Sequence, residues 1–235
     1  MDSLYIVIPA YNEEENIESV AREWHEIVQK VGEGSRLVII DDGGKDSTYQ
    51  KLLDLQKELP LLMPVTKENG GHGATVLYGY QLALEAGAKY VFQTDSDGQT
   101  IAEEFWPLWE QRKSYDIQIG HRKGRQDGLS RIFVTKTLKL VLFLTFGVWI
   151  TDANTPFRLM SAKSLKEQIT GVPKDFNLSN VLLTVFYEKA KARIRYIPIT
   201  FRPRQGGVNS INLKRIFVIG KQAFKDFRNL ALAKK

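Results

Sequence analysis

The chain has 235 residues, 43% hydrophobic and 26% charged, and 33 Lys and Arg against 27 Asp and Glu leave a net charge of +6. These are the values of a soluble globular protein with a real core, and the absence of cysteine excludes a disulfide framework, a thiolate zinc site and thiol chemistry. No run reaches the roughly 18 apolar residues of a spanning helix, and the N-terminal "MDSLYIVIPAYNEEEN" lacks the basic and long apolar regions of a signal peptide, so a cytoplasmic protein is expected.

"LYIVIPA" (4–10) is rich in β-branched residues and reads as a buried strand. Ile17, Val20, Ala21, Trp24, Ile27 and Val28 recur at helical spacing within 13–31. Asn12 is the expected N-cap, with glutamates in the first turn where the helix dipole favours them. "SRLVIIDD" (35–42) is a second strand stopped by "GGKDS", 47–59 a helix, and "LLMPVT" (61–66) a third strand. The glycine-rich "NGGHGA" (69–74) leads into a helix over 74–87 closed by Gly87, and "AKYVFQT" (88–94) is a fourth strand. Strands are predicted at 115–122, 155–161 and 193–201, and helices at 129–148, 164–169 and 177–192. From Ile211 onward Leu213, Ile216, Phe217, Phe224, Phe227 and Leu230 line one side of a helix whose other side is rich in Lys and Arg.

This alternation predicts an α/β fold. A Rossmann-like, mostly parallel central sheet would carry helices on both faces, with a basic amphipathic helix at the C-terminus. Ligands bind beyond the carboxyl ends of the strands in such sheets. Three polar clusters fall at those ends: "PAYNEE", "DDGGKD" and "TDSDGQ". Turns alone favour Asp, Asn and Gly, but three clusters on one edge argue for a site. Asp95 and Asp97 stand two residues apart, and like charges that close repel unless a cation lies between them. Oxygen ligands select a hard cation, Mg²⁺ or Mn²⁺, which completes its shell with water and phosphate. A diphosphate is the expected ligand, its departure assisted by the metal as a Lewis acid. Gln99 is placed to offer an amide oxygen or to orient a water.

"VIPAYNEEENI", "VIIDDGGKDST", "NGGHGATVLYGYQLALEAGAKYVFQTDSDGQ", "DANTPFRLM" and "PITFRPRQGGVNS" follow the order and spacing of family 2 glycosyltransferases, and most resemble the dolichyl- or polyprenyl-phosphate mannose or glucose synthase branch. The resemblance covers roughly residues 3–215; one DxD is weak evidence, but five ordered blocks are strong. It implies a GT-A fold, a nucleotide-diphosphate sugar donor (UDP- or GDP-linked), a divalent metal and inversion at the anomeric carbon. It assigns 1–210 to the catalytic domain, with a nucleotide-binding half over 1–100 and an acceptor half over 101–210, followed by the helix 211–235. By the same resemblance Pro9, Tyr11 and Glu13 cradle base and ribose, Asp41 and Asp42 contact them, and Gly71 and His72 lie near the phosphates. Asp95, Asp97 and Gln99 are implied as metal and diphosphate residues, and Arg122 and Arg131 as cations around the acceptor phosphate or the sugar diphosphate. Arg202, Arg204 and Ser210 are implied to close over the donor. Two positions depart from the pattern: Gly44 replaces the usual serine, and Ile211 replaces a lysine, whose charge Lys214 or Arg215 would have to supply.

The acceptor is polyprenyl phosphate or a glycan hydroxyl. A hydroxyl needs a carboxylate base, yet Asp175 is the only acid in 175–181, and Asp152 is the other candidate base. A phosphate is already anionic and needs none, which favours the lipid. So do the apolar run 140–150 and the basic tail, which suit peripheral contact with the inner face of a membrane; a homo-oligomer contact, or packing on the domain, is their competing use. Nucleic acid is not expected as a partner. A non-catalytic sugar-nucleotide-binding module would be expected to have lost Asp95 or Asp97, and both are present. A dinucleotide enzyme would need a glycine fingerprint after the first strand, and "PAYNEEEN" has no glycine.

Overall fold

The computed structural model describes residues 2–122, 129–203 and 227, the side chains of 122–136 excepted. Seven strands form one sheet: β1 (Leu4–Ala10), β2 (Arg36–Asp41), β3 (Leu62–Thr66), β4 (Tyr90–Gln93), β5 (Ile117–Arg122), β6 (Arg158–Ser161) and β7 (Ile194–Ile199). Their order is β3-β2-β1-β4-β6-β5-β7, and only β6 runs against the rest. The helices are α1 (Ile17–Val31), α2 (Thr48–Gln56), α3 (His72–Glu85), α4 (Trp106–Glu110), α5 (Leu129–Phe146), α6 (Ala162–Ile169) and α7 (Ser179–Lys189).

Strand β1 is apolar on both faces because helices cover both. Leu4, Ile6 and Ile8 pack with Trp24 of α1 and Leu52 of α2, whereas Val7 points the other way, toward Tyr80 of α3 and the α7 residues Val181 to Tyr187. The alternation is the period of two of a strand buried on both sides. Gly79 lets α3 lie close to the sheet, since a Cβ there would come within 2.3 Å of Val7 Cγ1 and 2.6 Å of Ile40 Cδ1. Helix α3 ends as expected at Gly87, whose φ of 77° lets Ala88 N–H reach the Ala83 carbonyl and Gly87 N–H the Leu84 carbonyl.

Two local expectations differ. Helix α1 starts at Ile17, not after Asn12, which takes φ 53° and uses its side chain to accept from Lys45 N–H at 2.8 Å. A 3-10 turn (Ala102–Phe105) and the short α4 follow the DxD segment, where no helix was predicted. They bury Phe105 and Leu108 beneath the sheet, but are too short to show a helical period. Among the described residues no helix is long and apolar enough to cross a membrane.

Candidate active site

The exits of β1, β2, β3 and β4 lie along one edge of the sheet, as their parallel registers require. Pro9 is buried within β1 opposite Ile40, and Tyr11, 47% exposed, stands at the rim. Glu13 is buried; its carboxylate accepts from Asn16 Nδ2 at 2.8 Å, and its N–H donates to Thr48 Oγ1 at 2.9 Å. Glu14 accepts from the Ser47 hydroxyl at 2.6 Å, and Asp46 accepts from Glu14 N–H at 3.0 Å. The loops after β1 and β2 are thus laced into one wall.

Asp41 and Asp42 close that wall, both 3% exposed. Asp41 accepts from Thr66 Oγ1 at 2.9 Å and Gly44 N–H at 3.2 Å. A Cβ on Gly44 would sit 2.8 Å from Asp41 Oδ1, so glycine fits the observed turn. Asp42 accepts from Lys67 Nζ at 2.5 Å, Gly70 N–H at 2.9 Å and Gly71 N–H at 2.8 Å. Burial opposes its ionisation, but the Lys67 ammonium, the Gly70 N–H and the Thr75 hydroxyl outweigh it and hold the carboxyl below the usual range. Asp42 therefore shapes the turn that leads into α3. Lys67 escaped the sequence reading, though its signal was present: "TKENGG" is a fourth polar cluster at a strand end.

The turn delivers His72 to the first position of α3, half exposed, with Nε2 3.9 Å from Asp95 Oδ1. Asp95 and Asp97 follow β4 on a loop braced by a buried Thr94–Thr100 hydroxyl contact of 2.7 Å. Both are partly exposed, and Asp97 Oδ1 accepts from Gln99 N–H at 3.1 Å. The Gln99 carbonyl accepts from Arg202 N–H at 2.7 Å, and Gln99 Nε2 donates to the Arg202 carbonyl at 3.2 Å. The chain after β7 is thereby strapped to the DxD loop, and the Arg202 guanidinium lies 3.7 Å from Glu23 of α1.

Beneath the loop lies a polar floor. Arg158, wholly buried, pairs in register with Gln93 of β4. Its guanidinium donates to the carbonyls of Thr155 (3.0 and 2.7 Å), Ala153 (3.2 Å) and Asn180 (3.1 Å), and to Thr184 Oγ1 at 3.3 Å. Burial lowers its pKa, and Tyr80 and Asp152 act the other way. The Tyr80 hydroxyl donates to Gln93 Oε1. Asp152 Oδ1 accepts from Asn154 N–H at 3.4 Å in the segment that Arg158 anchors, while Asp175 is exposed before α7.

Arg122 ends β5 opposite Ile199, and Arg131 lies in α5; their side chains are outside the described set. Arg204, Ser210, Lys214, Arg215 and the predicted helix 211–235 also lie outside the described residues, except Phe227. That residue is buried, with ring centroids 5.6 Å from both Phe146 and Phe176.

Among the described residues no three His, Asp or Glu side chains form a protein-only metal cage. The Asp95–Asp97 pair offers hard oxygens at a partly exposed rim, a set that fits an Mg²⁺- or Mn²⁺-type ion sharing its shell with water and phosphate.

The model of the family described as glycosyl transferase family 2 matches residues 5–169. The UDP-N-acetylglucosamine–dolichyl-phosphate N-acetylglucosaminyltransferase of Methanococcus voltae is 27% identical over 221 residues, 83% of this chain and 84% of that one. The undecaprenyl-phosphate 4-deoxy-4-formamido-L-arabinose transferase of Pectobacterium atrosepticum is 27% identical over 150 residues, 63% of this chain and 45% of that longer protein. Glucosyl-3-phosphoglycerate synthase from Mycobacterium tuberculosis, solved with Mn²⁺ and UDP-glucose, superposes with a TM-score of 0.69 at 19% identity, covering 98% of this chain and 79% of that one. At that identity the likeness is one of fold.

Proposed function

The chain belongs to glycosyl transferase family 2, and from that premise we propose that it moves a sugar from a UDP-sugar, with a divalent metal, to a polyprenyl phosphate, inverting the anomeric carbon. The observation that carries the reading is the meeting, at one sheet edge, of the Asp41–Asp42 wall, the α3 turn and the Asp95–Asp97 pair. A nucleotide-sugar site needs these three parts: a wall for the nucleoside, a helix N-terminus toward phosphate and hard oxygens for a cation. UDP is favoured over GDP, and a lipid phosphate over a glycan hydroxyl, because the M. voltae relative's name carries both. The exposed Asp175, the lone acid of 175–181, leaves little to deprotonate a hydroxyl. In this reading 1–100 serves the donor and 101–210 the acceptor, at the cytoplasmic face of a membrane.

The residues divide the work as follows. Tyr11 at the rim and the Asp41–Asp42 wall bound the nucleoside. Asp97 and Asp95 hold the cation, Mn²⁺ or Mg²⁺, which when bound neutralises the donor diphosphate and eases its departure. Gln99 keeps the DxD loop tied to Arg202, and His72 faces the diphosphate. Arg122 and Arg131, with Arg204, neutralise acceptor and donor phosphates, and the Ser210 hydroxyl donates to the donor diphosphate. The acceptor phosphate oxygen forms a bond to the anomeric carbon from the face opposite the nucleotide. The bond from that carbon to the β-phosphate oxygen breaks, and UDP leaves with its electron pair.

The test incubates labelled UDP- and GDP-sugars with polyprenyl phosphate and, separately, with glycan acceptors. Label entering the organic phase from a UDP-sugar, lost in excess chelator and in Asp97→Ala and restored to the wild type by Mn²⁺, is the expected result. Transfer to glycans alone, or full activity of Asp97→Ala, overturns the reading.

A further inference from the structure

Among the described residues, four of the seven most exposed large hydrophobic side chains fall within ten residues: Leu140 (53%), Phe143 (48%), Leu144 (72%) and Trp149 (66%). The other three, Tyr11, Met63 and Tyr78, stand on separate elements. The opposite side of α5 buries Leu142 and packs Leu138, Val141 and Phe146 on the core. The helix is therefore anchored, and over Leu140–Leu144 its outer face is apolar where a surface helix ordinarily carries charge. Phe143 and Trp149 meet edge to face, their centroids 6.0 Å apart, extending the patch beyond the helix end.

We propose that this outer face of α5, with Trp149, is a docking surface for an anionic lipid bilayer that seats the carboxyl edge of the sheet against the membrane. The proposal rests on the lipid-phosphate reading above and adds the surface that brings the enzyme to its acceptor. Topology is the first argument. The chain leaves the sheet at Arg122, the end of β5, and returns at Arg158, which pairs with Gln93 two residues before Asp95. The excursion carrying α5 thus begins and ends on the edge that holds the candidate site. Charge is the second. Residues 122–139 contain six Lys and Arg against one acid, Asp127. That bias complements anionic headgroups and opposes a twofold contact, which would bring the segment against its own copy. The third is chemical: an exposed Trp beside Leu and Phe suits the boundary between headgroups and acyl chains.

The full chain is sedimented with phosphatidylcholine vesicles, with and without phosphatidylglycerol and free of polyprenyl lipid. The wild type should pellet with the anionic vesicles, and Leu144→Asp and Phe143→Asp should each weaken partition about tenfold or more. Leu144→Ser guards against misfolding of the charged variants. Brominated acyl chains should quench a component of the emission that Trp149→Phe removes. Undiminished vesicle binding by the charged variants overturns the proposal. So does a wild type that ignores vesicles but forms a dimer that Leu144→Asp splits, since the patch then serves a second copy. Transfer to a water-soluble short isoprenyl phosphate separates the two readings. The variants should retain it, and its absence in the wild type defeats the acceptor assignment without touching the vesicle result.

Discussion

Asp42→Asn tests whether the buried carboxylate builds the site or only meets the donor. Asparagine keeps the shape and one acceptor oxygen but turns an NH₂ toward the remaining donors. With its oxygen in the Oδ2 place it keeps Gly71 but loses the charge-assisted bond from Lys67 Nζ, worth about 1.5–3 kcal/mol, and leaves the Gly70 amide unsatisfied at about 1–3 kcal/mol; with its oxygen in the Oδ1 place the Gly71 amide is left unsatisfied and the Lys67 bond loses the carboxylate charge. Two effects offset this: the cost of burying the carboxylate disappears, and Lys67, 21% exposed, can turn to water. We expect a net loss of about 2–3 kcal/mol. With a urea m-value of about 2–3 kcal/mol/M, the unfolding midpoint of the ligand-free protein falls by roughly 1 M. The pH dependence has a definite sign. The folded carboxyl titrates below its ordinary value of 3.8, so its contribution is complete above that value and is lost as pH falls through the depressed pKa. The gap between wild type and variant should be equal at pH 7 and pH 5 and close below that range. An unchanged midpoint without donor, together with weakened donor binding, would refute the reasoning, because the carboxylate would then act on the ligand and not on the turn.

Arg158→Lys should cost about 2–3 kcal/mol in urea unfolding, because one ammonium cannot serve the Thr155, Ala153 and Asn180 carbonyls that the guanidinium fork spans; a loss under about 0.5 kcal/mol contradicts that account. Gly79→Ala should destabilise by about 1–3 kcal/mol despite the better helix former, since the new Cβ meets Val7 and Ile40 at 2.3 and 2.6 Å; a raised Tm counters the close-packing argument. Asp97→Ala, by contrast, should lose activity with the ligand-free midpoint within about 0.3 M of wild type, because Asp97 is partly exposed and its side chain accepts the Gln99 N–H of its own loop.

Much of the fold is legible in the chain because its signals are local. Runs such as "LYIVIPA" and "RLVIID" can be buried on both faces only inside a sheet covered on both sides, and the helical period of Ile17 to Val28 supplies one covering. The order of the polar clusters then places them on one edge, since parallel strands joined by helices all end on the same side. Other features depend on contacts between residues distant in sequence. Asp42 and Lys67 are 25 residues apart, and only the pairing of β2 with β3 makes the aspartate a brace for the α3 turn. Nothing local in the sequence shows what Arg158 meets; folding surrounds it with carbonyls from the 153–155 segment and α7. The apolar run 140–150 suits a membrane contact, an oligomer contact or packing on the domain; packing decided that Leu142 faces the core while Leu144 faces outward. By itself the sequence determined the strands and most of the helices, their alternation and the edge where the chemistry sits. Which carboxylates brace that edge and which are left to meet a ligand was decided by tertiary structure, because burial and hydrogen-bond partners are properties of neighbours in space.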